Sequence, residues 1–346
     1  MKKRLNNKTQ CKEAGFSSIE FLCVLFFLSL FLLAVTKITD TSSLEARKAQ
    51  IRIAEKQKIE ETLQQVLSDY KTDFTPYSDS KTDAFYKWNK KENENGVSVH
   101  LTSLSSKFNP NTELKDIFYK TELHALFKPG TSPDSLQQYR EDNDFLFSRE
   151  SINLFFEEET AERFFSVYNW LNPNTCDEFA FRKFVSKITG SEIAGELLWE
   201  KLRLLRQDKQ LIKNNTDLSL FTGAYEKELS SFLTTQPLMN VHFMEPAALE
   251  NLLNDSDFSI NNPSDSAVRI IQAAENGELT ESDLHNILGI DENNRLFYYL
   301  GTITWFWQIE LECGNTQCSV ILARDPQAEN SGTDGKRVYM VEKAWN

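Results

Sequence analysis

The sequence predicts an α+β fold with a long N-terminal transmembrane helix, an antiparallel sheet and a large, mostly α-helical insertion. An apolar run from Phe16 to Val35 is followed by helical spacing as far as Tyr70. Strand-like alternation of apolar and polar residues occurs near residue 100 and again after residue 300. Between these two regions the spacing is mostly helical. We therefore expect a sheet whose strands are separated in sequence by a helical insertion.

These patterns divide the chain into six predicted segments, and we find no internal repeat among them. The segments are a basic leader (1–15), a transmembrane helix (16–36), its continuation outside the membrane (37–70), the first part of the α/β domain (71–107), the helical insertion (108–294) and the closing strands (295–346).

Charge is distributed unevenly along the chain. The net charge is −13, but the first fifteen residues hold five basic side chains and one acidic one, which leaves −17 for the rest. Nucleic-acid binding depends on Lys and Arg side chains that displace counterions from phosphates. The acidity of the main part of the chain therefore argues against a nucleic-acid partner.

The apolar run from Phe16 to Val35 is long enough to cross a membrane. Twenty helical residues span about 30 Å, and the run contains a single charged residue, Glu20. The preceding basic residues predict a cytoplasmic N-terminus, with the bulk of the chain on the other side. A cleaved secretory signal fits less well, because its apolar region is shorter and Ala34-Val35-Thr36 is a poor cleavage site. An uncleaved anchor remains an alternative.

Two residues at the start of this run suggest processing. Gly15 ends the basic leader, and Glu20 is the fifth residue after it. The sequence G-F-S-S-I-E resembles the processing site of the type IV pilin and type II secretion pseudopilin family. This resemblance implies that a prepilin peptidase cuts after Gly15 and methylates Phe16. It also implies that Glu20 pairs with the N-terminal amine of a neighbouring subunit.

Outside the membrane, spacing predicts several helices and four strands. Val97 to Thr102 and Ile303 to Leu311 alternate as half-buried strands do, and Ser319 to Ala323 and Arg337 to Trp345 follow as strands. Thr280 and Asp283 form a predicted capping box that opens a helix ending at Leu288. The other predicted helices are Ile152 to Leu171, Phe179 to Ile188, Ile193 to Leu205, Leu218 to Leu233 and Ala247 to Leu253.

Three stretches resemble the K-type minor pseudopilins of type II secretion (the GspK family), in which a helical domain interrupts the pilin fold. They are GVSVHLTSLSSKFNPNT near Val97, PLMNVHFMEPAALENLL around Asn240 and RLFYYLGTITWFWQIELE near the C-terminus. The resemblance implies an inner-membrane protein with a periplasmic domain, near the tip of a short filament. It also implies minor pseudopilins I and J as partners.

The chain departs from the K-type pattern at two places. His242, Phe243 and Met244 replace the N-T-A of the family signature, and Glu20 is present where K-type members usually lack the carboxylate. A minor pilin of a type IV pilus or a related machine therefore remains an alternative. From another class, so does a signal-anchored periplasmic enzyme or binding protein.

Cysteines and acidic loops raise two further questions. Cys313 and Cys318 lie in CGNTQC, where a disulfide across a hairpin fits an oxidising compartment and two thiols are the alternative. Acidic loops at Asn254 to Asp265 and Asp291 to Asn294 offer oxygen ligands suited to calcium, but neither has an EF-hand pattern. We therefore expect no cofactor, with calcium as the open exception.

No pattern in the sequence indicates catalysis. The four histidines are dispersed and show no H-E-x-x-H spacing, and neither a G-x-S-x-G elbow nor a phosphate-binding glycine loop occurs. The segment around Asn240 lacks the glycine hairpin and basic face of DNA-binding helical hairpins. We therefore expect an assembly protein rather than an enzyme.

Overall fold

A computed structural model of the chain is a mixture of helices and antiparallel sheet that begins with a long apolar helix. The chain forms two compact units, with the boundary between Lys58 and Ile59. The described residues are 10–72, 78–112, 122–143, 145–146, 148–277, 279–291, 293–326 and 338–345, with side chains from residue 19 onward except at 92.

Helix α1 spans Gln10–Lys71. Its apolar side chains in the first unit are exposed, with Phe27 at 68% and Leu33 at 65%. Among the described residues, one helix is long and apolar enough to cross a membrane, and it is this one. The predicted membrane-spanning length and composition are therefore present in a single helix.

Five antiparallel strands form the main sheet in the order β1-β2-β5-β6-β7. Strand β2 pairs with β5 along its whole length, from Ser98 opposite Glu312 to Ser103 opposite Trp307. The four predicted strands correspond to β2, β5, β6 and β7, although β5 begins at Phe306 rather than Ile303. The strands of this sheet are β1 (Lys91–Glu92), β2 (Ser98–Ser103), β5 (Phe306–Cys313), β6 (Thr316–Arg324) and β7 (Val338–Trp345).

One face of this sheet packs on the last turns of α1. Ile59, Leu63, Val66 and Tyr70 recur every three or four residues along one face of the helix, as the helical spacing up to Tyr70 predicts, and each is at most 1% exposed. They share a core with the inward side chains of β2, β5 and β6, and along β2 these alternate with side chains that are mostly exposed. The Tyr70 ring lies 4.5 Å from that of Phe85. Burial of this helix face therefore stabilises the packing of the sheet against α1.

The chain between β2 and β5 consists mainly of helices and the loops that join them. A short parallel pair, β3 (Met239–Asn240) with β4 (Leu300–Gly301), lies near its end. The helices are α2 (Pro133–Asn143), α3 (Arg149–Ile152), α4 (Glu158–Phe164), α5 (Glu178–Thr189), α6 (Glu192–Gln207), α7 (Asn215–Thr222), α8 (Glu226–Leu229), α9 (Pro246–Leu253), α10 (Pro263–Glu275) and α11 (Glu281–Leu288).

This helical region contains three equivalent modules, which corrects the expectation of no repeats. Module 1 (108–166), module 2 (171–234) and module 3 (239–301) each begin and end in a parallel backbone pair. The pairs are Phe108 with Phe165, Leu171 with Leu233, and Met239 with Leu300. Helices α2–α4, α5–α8 and α9–α11 fall within the three modules in turn. The sequence signal was the tetrapeptide NPNT, present at 109–112 and again at 172–175.

A buried turn opens each module in the same way. An Asn side-chain oxygen accepts a hydrogen bond from the backbone N–H two residues later: Asn109 from Asn111 (2.9 Å), Asn172 from Asn174 (2.8 Å) and Asn240 from His242 (2.9 Å). The second residue then bonds the backbone of an apolar residue further on: Asn111 with Leu146, Asn174 with Ile212 and His242 with Leu279. These bonds satisfy buried peptide groups that belong to no regular element.

Two predicted helices are wrong in extent. The segment from Ile152 to Leu171 is broken, because Phe156 pairs with Phe127 and Phe165 is extended beside Phe108. These long-range pairings override local helical spacing. The segment from Leu218 to Leu233 is broken at Gly223, whose φ of 56° and ψ of −117° suit glycine.

Other local predictions are confirmed or corrected. The capping box of Thr280 and Asp283 is present at the start of α11. The predicted acidic loop from Asn254 to Asp265 is a loop with one 3-10 turn as far as Asn262, and its last three residues begin α10, which opens with Pro263 in its first turn. Asn262-Pro263 was therefore a helix start.

We predict that Leu63→Ala lowers the free energy of unfolding by roughly 2–5 kcal/mol, because it leaves a cavity between α1 and the sheet. Unfolding of the full chain in lipid nanodiscs by urea, followed by tryptophan fluorescence, measures the change. Ile53→Ala is the matched control, since Ile53 is 66% exposed on the same helix; its effect is expected to stay within about 0.5 kcal/mol. Equal effects of the two variants would contradict the described core.

Candidate assembly site

The residues expected at the processing and assembly site lie near the start of α1. Gly15 and Phe16 are on its backbone, and the side chain of Glu20 is exposed. Its neighbours Ile19 and Phe21 are 61% and 64% exposed, so the carboxylate lies among apolar side chains. No ion pair to Glu20 is present among the described residues. In a membrane an unpaired carboxylate costs roughly 2.5–3.5 kcal/mol, so this position favours a cationic partner from another molecule.

The helix beyond the apolar run also has exposed apolar side chains. Ile38, Leu44, Ile51 and Ile53 are each between 49% and 69% exposed within an otherwise polar stretch. Isolated exposed apolar residues are normal on protein surfaces. Here they add to the exposed apolar run of the same helix, and they suit packing against other helices.

The structure brings together the three stretches whose sequences carried the K-type resemblance. Strand β2 from the first stretch pairs with β5 from the third, and β3 from the second pairs with β4 from the third. The Ser105 hydroxyl accepts a hydrogen bond from the Trp305 N–H at 2.9 Å. The Trp305 indole N–H donates in turn to the Pro237 carbonyl. Residues about 200 positions apart in the chain thus form one junction.

A buried polar network lies at this junction. The Asn240 amide donates to the Asp79 carbonyl at 2.8 Å and to the Thr304 hydroxyl at 2.9 Å. The Thr304 N–H donates to the Asp79 carboxylate at 2.7 Å. Arg324 lies 3.7 Å from the same carboxylate, and both side chains are 2% exposed. The network thus joins four positions that are far apart in the chain, and it contains a buried ion pair between Asp79 and Arg324.

Local sequence patterns give no indication of most of this network. Asn240 belongs to a stretch that carries the resemblance, but Asp79 lies in a polar segment without helical or strand periodicity. Arg324 followed a predicted strand without any distinguishing pattern. Gly301 is also constrained: a Cβ atom there would lie 2.5 Å from the Pro237 Cβ. This close approach explains why a glycine stands in β4.

Cys313 and Cys318, for which the sequence leaves both a disulfide and two thiols open, have sulfurs that are not bonded to each other. Both residues are buried on the α1-facing side of the β5–β6 hairpin. The register places Cys313 opposite Thr316 and Cys318 opposite Leu311, so the cysteines are diagonal neighbours. Diagonal residues are about 7–8 Å apart, beyond the usual disulfide range.

The residues considered for calcium and catalysis have structural contacts. Asp255 and Asp291 accept hydrogen bonds from the backbone N–H two residues later. Within the described part of the chain, no group of three or more His, Cys, Asp or Glu side chains is placed to hold a metal ion. Burial raises the pKa of Cys176 to about 12, so this thiol stays protonated at neutral pH.

His242 occupies the position that Asn111 and Asn174 hold in the other modules. Its two ring nitrogens face the Ala274 and Leu279 carbonyls at 3.4 and 3.1 Å. A neutral imidazole donates only one hydrogen bond. Burial lowers the pKa of His242 below its ordinary 6.5, although the two carbonyls and Asp79 oppose this shift.

Neither a protein-family model nor a curated protein sequence matches the chain.

We predict that Asp79→Ala lowers the free energy of unfolding by roughly 1–3 kcal/mol, because the buried Thr304 N–H loses the carboxylate that accepts its hydrogen bond. Urea unfolding measures this change. Asp208→Ala removes an exposed carboxylate at the end of α6 and serves as the control. If the two variants unfold at the same urea concentration, the network contributes nothing to stability.

We also predict that His242 makes stability depend on pH. Because its folded-state pKa is depressed, its contribution is fully present above pH 6.5 and is lost as pH falls through the folded pKa. His242→Asn, which restores the residue found in the other modules, should flatten this part of the profile. Urea midpoints between pH 7.5 and pH 5 test it. The exposed His100→Asn control should keep the wild-type slope.

Proposed function

We propose that the chain is a subunit of the prepilin class, anchored by α1 and assembled through it. One observation carries this proposal: a single helix supplies both the apolar segment with Glu20 and the Ile59 to Tyr70 face that packs on an antiparallel sheet. Such a helix joins membrane anchoring to the core of the globular unit. Gly15 and Phe16 at the end of the basic leader give the peptidase site that the class requires.

Within that class, we propose a K-type minor pseudopilin of a type II secretion system. It would lie in the inner membrane with its main unit in the periplasm, at or near the tip of the short filament that supports protein export. The long helical region between paired strands β2 and β5 supports this choice, because it matches an insertion into a pilin sheet. Minor pseudopilins I and J and the prepilin peptidase are the proposed partners.

Glu20 favours a second candidate, a minor pilin of a type IV pilus or a related machine. A tip subunit has no neighbour above it, so it gains nothing from a carboxylate that pairs with another subunit's amine. A subunit within the filament has such a neighbour and gains from this pairing. The two candidates share processing at Gly15 and differ in which subunits lie next to this chain.

The first test is the N-terminus of the mature protein. We predict that mass spectrometry of the chain, produced in a host with a prepilin peptidase, finds Phe16 as the first residue with one added methyl group. Gly15→Val should leave the chain uncleaved, because a branched side chain blocks the scissile site, whereas Ala14→Val should be cleaved normally. An intact Met1 in the unaltered chain, or a cut near Thr36, would support a signal-anchored periplasmic enzyme or binding protein instead.

The second measurement addresses assembly. The Glu20→Gln variant should still be cleaved and methylated. In crosslinked membranes, however, the amount of neighbouring subunit crosslinked to it should fall at least about tenfold, since an amide cannot neutralise an ammonium. Glu45→Gln, in the same helix, is the matched control. Crosslinks to subunits I and J support the K-type proposal, and crosslinks to a pilus subunit support the second candidate.

A further inference from the structure

The three helical modules create two equivalent junctions, one between modules 1 and 2 and one between modules 2 and 3. The residue just before the closing pair has the same role in each module. Phe164, Phe232 and Tyr299 each supply a backbone carbonyl that accepts a hydrogen bond from the N–H of the residue that opens the module. Thr112 and Thr175 likewise correspond as the last residues of the two NPNT turns. The two junctions can therefore be compared residue by residue.

The junction between modules 2 and 3 is filled by an aromatic side chain. Tyr299 is 1% exposed, and its hydroxyl donates to the Thr175 carbonyl at 3.2 Å. Its ring packs edge-on against Phe258, with centroids 5.7 Å apart. A phenol thus occupies the space beside the NPNT turn of module 2.

In the described part of the chain, the equivalent junction between modules 1 and 2 is not filled. Phe232, the counterpart of Tyr299, is 36% exposed and has no hydroxyl. A cleft of about 270 Å³ lies there, with an almost entirely apolar lining. Its walls include Thr112, Val167, Trp170, Phe184 and Phe232. Gly190 in module 2 and Phe258 in module 3 lie the same number of residues after the Asn that opens their module. Module 2 therefore lacks the second aromatic ring that module 3 has at this position.

We propose that this cleft binds an aromatic side chain, preferably tyrosine, from a protein partner. The ring would occupy the position that Tyr299 occupies in the junction between modules 2 and 3, and its hydroxyl would donate a hydrogen bond to the Thr112 carbonyl. The cleft is walled by Trp170, Phe184 and Phe232, and aromatic rings pack well against one another edge-on or offset. This inference depends on the helical modules alone and holds for either candidate function.

The test uses the full chain in lipid nanodiscs, because detergent would compete for an apolar cleft. Saturation-transfer NMR measures binding of N-acetyl-tyrosinamide, N-acetyl-phenylalaninamide and N-acetyl-leucinamide. We expect saturable binding of the tyrosine probe, binding of the phenylalanine probe roughly threefold to tenfold weaker through loss of one hydrogen bond, and weaker binding still of leucine. Equal signals from all three probes, or no saturation, would overturn the proposal.

Variants locate the binding. Val167→Trp should fill the cleft and abolish binding, and Phe184→Ala should weaken it severalfold by removing an aromatic wall. Leu197→Trp, at a 61% exposed position on α6 outside the cleft, is the control and should bind normally. Thermal unfolding confirms that each variant is folded. Unchanged binding in both cleft variants would refute the site.

Two aromatic residues, Phe118 and Tyr119, follow Thr112 closely in the chain. Binding that appears only in a Phe118→Ala, Tyr119→Ala double variant would mean that the chain's own residues compete for the cleft, and it would overturn the proposal of a protein partner. Binding in the unaltered chain supports it.

Discussion

Pairing of β2 with β5 places a strict requirement on everything between them. Residues 98–103 and 307–312 are hydrogen-bonded neighbours, so the roughly 200 residues between must leave the sheet and return to the same place. The helical modules meet this requirement because each begins and ends in a parallel backbone pair, which returns the chain close to where it left. A buried polar network then fixes the place where the chain returns to the sheet. Its members are Asp79, Asn240, Thr304 and Arg324.

Asparagine has a recurring role in this architecture. Each module opens with an Asn whose side chain closes a turn, and two of the three continue with a second Asn that bonds a distant backbone. An amide side chain suits this task because it both donates and accepts without bringing a charge into the interior. His242 performs the same task in module 3 with a titratable ring. Irregular backbone is thereby buried without losing its hydrogen bonds.

The sequence allowed prediction of the parts governed by local periodicity. The apolar helix, the buried face from Ile59 to Tyr70, the alternating strands and the Thr280 capping box were all evident from spacing. The breaks at Phe156 and Phe165 were not, because pairing with residues far away in the chain decides them. Asp79 and Arg324 were missed for the same reason. The modules share backbone geometry more than sequence, apart from the repeated NPNT.

The modular arrangement has a consequence for how such a chain changes in size. Successive modules start at 108, 171 and 239, and each returns the chain to the place where the next begins. Duplication or loss of one whole unit would leave the strand partners within reach of each other. Growth by gene duplication could therefore lengthen this protein without disturbing its sheet, whereas a partial duplication would separate strands that must meet.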